Sequence, residues 1–215
     1  MQEDLDAGPE PGVPVWAVFG DLMSGLLGAF VLILVFAIGM QLELTTQLQA
    51  EIKKREAQAQ RLQALEKALA VPLAAGRVTL SNGRIGISGS VLFALNSAQL
   101  QPQGRDLLKS LAGPLSGYLK ARDEILMVSG FTDDRQVRDG NRRFADNWEL
   151  SAERALTVTR ALVDEGVPAA SVFAAAFGSG QPVSSNADEE GRARNRRVEI
   201  APVPRPSTAT VKPRE

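Results

Sequence analysis

The 215-residue sequence has no cysteine and no histidine. Without cysteine there is no disulfide, no thiol nucleophile and no thiolate metal site. Without histidine the commonest general base and metal ligand are missing, so a serine nucleophile served by an imidazole is excluded. No excess of either charge exists: Lys+Arg 24 stands against Asp+Glu 25. That balance gives no reason to expect nucleic acid as a partner. These absences predict a protein that is not an enzyme, with no catalytic residues, no metal site and no cofactor.

What is present is a long apolar run. Residues 15–40 carry one charged side chain, Asp21. The run is long enough to cross a bilayer core, which needs roughly 20 helical residues. An acid inside such a helix costs on the order of 3 kcal/mol on insertion scales, which makes Asp21 a functional candidate. A second reading starts the helix after Asp21 and leaves the acid among the headgroups. Helical geometry puts Asp21, Ser24, Gly25 and Gly28 on one side. Ser24 with Gly28 and Gly25 with Ala29 are small-xxx-small pairs, which let two helices approach closely.

The run is not read as a cleaved signal. Residues 1–14 lack Lys and Arg, carry Glu3, Asp4, Asp6 and Glu10, and are broken by Pro9, Pro11 and Pro14. A secretory signal has a basic start, a shorter apolar stretch and a small-residue cleavage site. The basic residues nearest the far end of the run are Lys53, Lys54 and Arg55. Taken alone, they would place the following residues in the cytoplasm.

Residues 41–70 contain no Gly and no Pro and read as helix. A coiled-coil seam through Leu48, Ile52, Arg55, Ala59, Leu62, Glu66 and Leu69 is mediocre. The segment serves as a dimer stalk, a plug or a plain linker, and Pro72 and Gly76 end it. Asn82-Gly83 between alternating segments signals a hairpin over 78–88. Residues 103–121 make an amphipathic helix, with Gly113-Pro114 as a break or kink. A strand over 124–131, a polar loop over 132–147, a helix over 149–166 and strands over 171–180 and 196–202 follow. The order β-β-α-β-α-β-β suggests helices packed on one face of a sheet.

Five ordered blocks stand on this frame: VLFALNSAQL (91–100), GFTDD (130–134), NWELSAERA (147–155), FGSGQP (177–182) and GRARNRRVEI (191–200). Together they resemble the OmpA-like peptidoglycan-binding domain, and NWELSAERA is close to the version in MotB-like stator subunits. Trp16 and Asp21-Leu22-Met23 also match the MotB pattern of a membrane helix with an aspartate near its cytoplasmic end. Three features depart from these patterns: Phe131 stands before the TD pair, the loop from Asp133 to Asn147 is long, and the helix reads DLMSGLLGAF. The wider MotB-like set includes ZorB of the Zorya anti-phage system.

The resemblance implies a single N-terminal transmembrane helix plus an α+β OmpA-like domain, its helices packed on a mixed β-sheet. The expected divisions are a cytoplasmic arm (1–14), the membrane helix (15–40), a periplasmic linker helix (41–76), the OmpA-like domain (77–202) and a disordered tail (203–215). It implies a single-pass inner-membrane protein with a periplasmic domain, against the charge signal of Lys53–Arg55. Asp133 and Arg154 would grip the diaminopimelate of the peptidoglycan stem, carboxylate to ammonium and guanidinium to carboxylate. Thr132, Asn147, Leu150 and Ser151 would surround the ligand. Of the adjacent Arg196 and Arg197 one would face the site, with Arg197 the choice. For Arg154 the competing reading is a surface charge, and for Ser151 a helix cap.

A carboxyl in hydrocarbon that exchanges between neutral and charged forms is what an ion relay needs, so Asp21 would relay an ion, H+ rather than Na+ on its apolar flanks. The partners implied are a homodimer mate, a pentameric ring of MotA-like polytopic subunits, and peptidoglycan. The function expected is a motor subunit driven by ion flow, serving flagellar-type motility or Zorya-type defence. The alternative is a passive wall tether.

Overall fold

The computed structural model describes residues 15–94, 97–137 and 143–206. The expected arm over 1–14 lies outside them. Contacts divide the chain into two compact units, meeting at Gln58 and Ala59. Helix α1 runs over Val15–Ala68. In the first unit its large apolar side chains from Val15 to Met40 stand exposed, and it is long and apolar enough to cross a membrane.

The second unit is a mixed five-stranded sheet with helices against it. Its elements are α2 (Ala70–Ala74), β1 (Thr79–Ser81), β2 (Arg84–Ser88), α3 (Gly89–Leu92), α4 (Pro102–Lys120), β3 (Glu124–Gly130), α5 (Asn147–Asp164), β4 (Val172–Ala176), α6 (Glu189–Asn195) and β5 (Arg197–Pro204). The strand order is β1-β2-β5-β3-β4. Only the β3–β4 pair is parallel, joined by a crossover through α5. The expected hairpin forms at Asn82-Gly83, both at positive φ (52° and 75°). A two-residue turn of that kind matches the strand twist.

The core lies between the sheet and α4 and α5. Leu107, Leu108, Leu111, Leu115, Tyr118 and Leu119 of α4 are buried, as the apolar stripe predicts. Gly113-Pro114 does not break α4. A proline inside a helix costs ~3 kcal/mol, and the buried leucines on both sides of it, Leu111 and Leu115, hold the helix continuous. On α5 the inward set is Leu150, Ser151, Arg154, Ala155, Val158, Ala161 and Leu162. Val163 is half-buried.

Two boundaries read from sequence shift. Residues 59–76, expected in the linker, belong to the globular unit. Leu65 and Leu69 are fully buried in its core, while Glu66 of the expected seam is exposed. Burial follows the face that packs on this chain's own domain. At the other end β5 continues past residue 202: Val203 and Pro204 pair with Ile125 and Glu124. Two prolines are tolerated here because β2 pairs only as far as Ile200, leaving that side of β5 a free edge. The Pro202 carbonyl on that edge accepts from the Arg61 guanidinium, which also pairs with Glu124 at 2.8 Å. Residues 207–215 of the expected tail lie outside the described residues.

Candidate functional site

Strand β3 ends in Gly130, and the chain then turns through Phe131, Thr132 and Asp133 toward the start of α5. The helix crosses the strand end very closely. A Cβ on residue 130 would lie 2.1 Å from the Ser151 carbonyl oxygen, so only glycine fits. Helix α5 is started by Asp146, whose carboxylate accepts from the Glu149 amide at 2.8 Å. That is N-capping by Asp146, not by Ser151. The Asn147 side chain donates to the carbonyls of Asp133 (3.3 Å) and Arg135 (3.0 Å), tying the loop to the helix.

These constraints shape a cleft of about 180 Å³ lined by Thr132, Asp133, Asn147, Leu150, Arg154, Arg196 and neighbouring residues. Arg154 is 5% exposed. Its Nε donates to the Ser97 carbonyl at 3.0 Å, and its guanidinium lies over the Phe93 ring at 5.3 Å. Among the described residues its two terminal nitrogens meet no acceptor. Burial first, and then the nearby Arg196, lower its pKa to about 10, with Asp133 pulling the other way. A buried guanidinium short of acceptors favours an anion. The surface-charge reading of Arg154 therefore falls.

Asp133 is buried and pairs with Arg196 Nη1 at 2.6 Å. Arg196 in turn meets Glu189 at 2.7 Å. Burial works against the Arg196 charge, but the hydrogen bonds to Asp133 and Glu189 outweigh it and raise its pKa. Glu189 also contacts Arg192 at 3.2 Å and Arg135 at 3.4 Å. Hydrogen bonds from Arg196 and then Arg192 hold its carboxyl below the ordinary value of 4.5. Thr132 is 4% exposed, and its hydroxyl has no partner among the described residues. The cleft thus presents a buried guanidinium with open donors, an ion-paired carboxylate and an unpaired hydroxyl.

Of the residues expected at the site, Thr132, Asp133, Asn147, Leu150 and Arg154 come together. Ser151 and Arg197 do not line the cleft. The Ser151 hydroxyl is fully buried, donating to the Trp148 carbonyl (2.9 Å) and accepting from the Gly178 amide (3.0 Å). It ties α5 to the 177–180 turn. Arg197 begins β5 and turns to the other side of the sheet, pairing with Glu199 at 2.6 Å and stacking 3.8 Å over Phe131. Phe131 also stacks on Phe177, ring centroids 5.0 Å apart. The unusual residue before the TD pair is therefore part of an arginine–phenylalanine stack beneath the cleft.

The arginine that reaches the cleft is Arg196, which ends α6. Strand alternation could not assign it, because it precedes the strand. Glu189 was missed because α6 itself was not foreseen. Asp188 caps that short helix by accepting from the Gly191 amide at 2.6 Å. Asn195 holds the preceding loop through the amides of Val183 (2.8 Å) and Ser184 (3.0 Å).

On α1, Asp21, Ser24, Gly25 and Gly28 follow helical spacing on one face and are exposed. The Ser24 hydroxyl donates back to the Gly20 carbonyl at 2.8 Å. A Cβ on Gly25 or Gly28 would meet nothing within 4 Å.

Known proteins are similar to this chain in sequence and fold. Residues 92–196 match the OmpA family. Motility protein B of Bacillus subtilis is 32% identical over 127 residues, covering 59% of this chain and 47% of that protein. The peptidoglycan-binding protein ArfA of Mycobacterium tuberculosis is 37% identical over 112 residues, covering 52% of this chain and 32% of that one. The chain therefore spans about half or less of the length of these curated relatives. A crystal structure described as a MotB-like protein from Desulfovibrio vulgaris superposes with a TM-score of 0.58 at 32% identity, covering 70% of this chain and 96% of that one. Residues 92–196 are thus an OmpA-family domain, and the globular unit is of the MotB-like kind.

Proposed function

We propose that this chain is the wall-anchored subunit of an ion-driven inner-membrane motor, with Asp21 as its proton relay and the Asp133–Arg154 cleft as its grip on peptidoglycan. The observation that carries the wall-binding part is Arg154: a buried guanidinium whose terminal nitrogens meet no acceptor among the described residues, beside a buried carboxylate. A diaminopimelate side-chain end carries both an ammonium and a carboxylate, and the cleft has the opposite charge for each. ArfA, a relative at 37% identity, is by name a peptidoglycan-binding protein.

The motor part rests on α1. Its apolar run keeps one acid, set on the same face as Ser24, Gly25 and Gly28, where a second helix can approach. A domain held by the wall gives that helix something to be fixed against while a surrounding ring of MotA-like subunits moves. The ion passes between the ring and a homodimer of this chain. The domain faces the periplasm, and the output is flagellar-type motility or Zorya-type defence.

Two measurements test this. Purified sacculi should pull down the full-length protein, and Asp133→Ala or Arg154→Ala should abolish it; retained binding by both variants removes the cleft from the proposal. Asp21→Asn should keep sacculus binding and lose ion-coupled output in cells. Unchanged output leaves a passive wall tether.

A further inference from the structure

The carboxylate that would take the ligand's ammonium already holds a cation. Asp133 Oδ2 accepts from Arg196 Nη1 at 2.6 Å, and both side chains are largely buried, 10% and 20% exposed. Arg154 differs: among the described residues its terminal nitrogens meet no acceptor. The cleft is therefore unevenly prepared. Its place for an anion stands open, and its place for a cation is filled from within.

Arg196 is held so that it can release Asp133. Its other terminal nitrogen, Nη2, donates to Glu189 Oε1 at 2.7 Å. Glu189 is itself fixed on α6 by Arg192 at 3.2 Å and Arg135 at 3.4 Å, and its side chain is 59% exposed. A guanidinium that gives up Asp133 thus keeps one charged partner and gains water at the rim. It avoids becoming a buried unpaired charge, the costly outcome. The charges also balance. With a zwitterionic end bound, the cations Arg154, Arg196 and the ammonium face the anions Asp133, Glu189 and the ligand carboxylate. Without the ligand carboxylate, Arg154 stays unpaired and Arg196 must still be displaced. Without the ammonium, Arg196 simply stays on Asp133, and every charge keeps a partner.

We propose that Arg196 is an internal substitute for the ligand's ammonium, occupying Asp133 in the empty cleft and yielding it when the ammonium arrives, with Glu189 as the positioning residue that retains the arginine. The exchange rests on the peptidoglycan reading of the cleft. It makes recognition unequal at the two ends of the ligand. Pairing with Arg154 breaks no existing ion pair, whereas pairing with Asp133 breaks one.

The test is calorimetry on full-length protein in detergent micelles with three tripeptide stems. They differ only at the third residue: diaminopimelate, lysine, whose side-chain end lacks the carboxylate, and 2-aminopimelate, whose end lacks the ammonium. In the wild type, loss of the carboxylate should weaken binding about a hundredfold and loss of the ammonium only about threefold. Arg196→Met should bind the diaminopimelate stem about tenfold tighter and leave the 2-aminopimelate stem nearly unchanged. Glu189→Gln should weaken the diaminopimelate stem about fivefold, spare the 2-aminopimelate stem, and have no effect in the Arg196→Met background. Equal losses for the two truncated stems in the wild type, or weaker diaminopimelate binding by a folded Arg196→Met variant, overturn the exchange. Should Arg196→Met fail to fold, Glu189→Gln decides: a loss confined to the diaminopimelate stem supports the exchange, and no loss or an equal loss for both stems overturns it. If no stem binds the wild type, the peptidoglycan reading fails and the exchange with it. Binding with equal contributions from the two ends overturns the exchange alone.

Discussion

The two units of this chain hold their functional residues in opposite ways. On α1, Asp21 is exposed, and a Cβ added at Gly25 or Gly28 would meet nothing within 4 Å among the described residues. In the globular unit each cleft residue is fixed by several others: Asn147 by two carbonyls, Asp133 by Arg196, Arg154 by Ser97 and Phe93. A residue of the first kind can be exchanged without cost to the fold of a single chain, and its role depends on partners. A residue of the second kind carries stability and binding together. The difference teaches where a substitution reports function cleanly and where it does not.

The largest expected effect lies where helix and strand meet. Gly130→Ala should unfold the globular unit or destabilise it by about 4 kcal/mol or more, because backbone must move to admit the new carbon. Thermal melts of full-length protein check this, and a variant melting like wild type would show that the contact is loose. Next is Leu69→Ala, expected to cost roughly 2–5 kcal/mol. Near-wild-type stability would return residues 59–76 to the linker and restore the boundary expected at residue 77.

Arg154→Met breaks the entanglement of stability with binding. A cation whose pKa in the folded protein is lowered to about 10 costs stability wherever it stays charged, which includes all of the neutral range. A methionine keeps much of the packing on Phe93 and removes the charge. The variant should lose sacculus binding while its stability holds or rises by about 1–3 kcal/mol. A marked fall in melting temperature with binding retained would make Arg154 a structural residue. In the first unit Asp21→Asn is the matching case, with no change in melting or wall binding and a complete loss of coupled output.

The smallest effect belongs to Glu189. Its carboxyl is held low by Arg196 and Arg192, so the stability it contributes is present above the ordinary value of 4.5 and is lost as pH falls through the lowered value. Exposure and screening keep this contribution small. Glu189→Gln should flatten the acid end of the stability–pH curve slightly and leave the neutral region unchanged, as read by chemical denaturation at several pH values.

Sequence alone determined the parts set by local chemistry. The apolar run with its single acid, the leucine stripe of α4, the Asn82-Gly83 turn and the ordered blocks that bring Asp133 and Arg154 to one place all follow from periodicity, turn preference and motif. These signals are local, so no fold is needed to read them. Tertiary structure decided what depends on contacts between distant residues. It assigned Leu65 and Leu69 to the core, since which face of a long helix is buried is set by what it meets. It carried Pro202 and Pro204 into β5, because a free edge spares their missing amides. It placed Arg196 in the cleft and Arg197 beneath the sheet, because α6 ends between strand and loop where alternation has no meaning. Ser151 became a buried tie because α5 crosses Gly130 at backbone distance. Adjacent arginines look alike in a sequence; only the packing around them separates a cleft-facing charge from one held beneath the sheet.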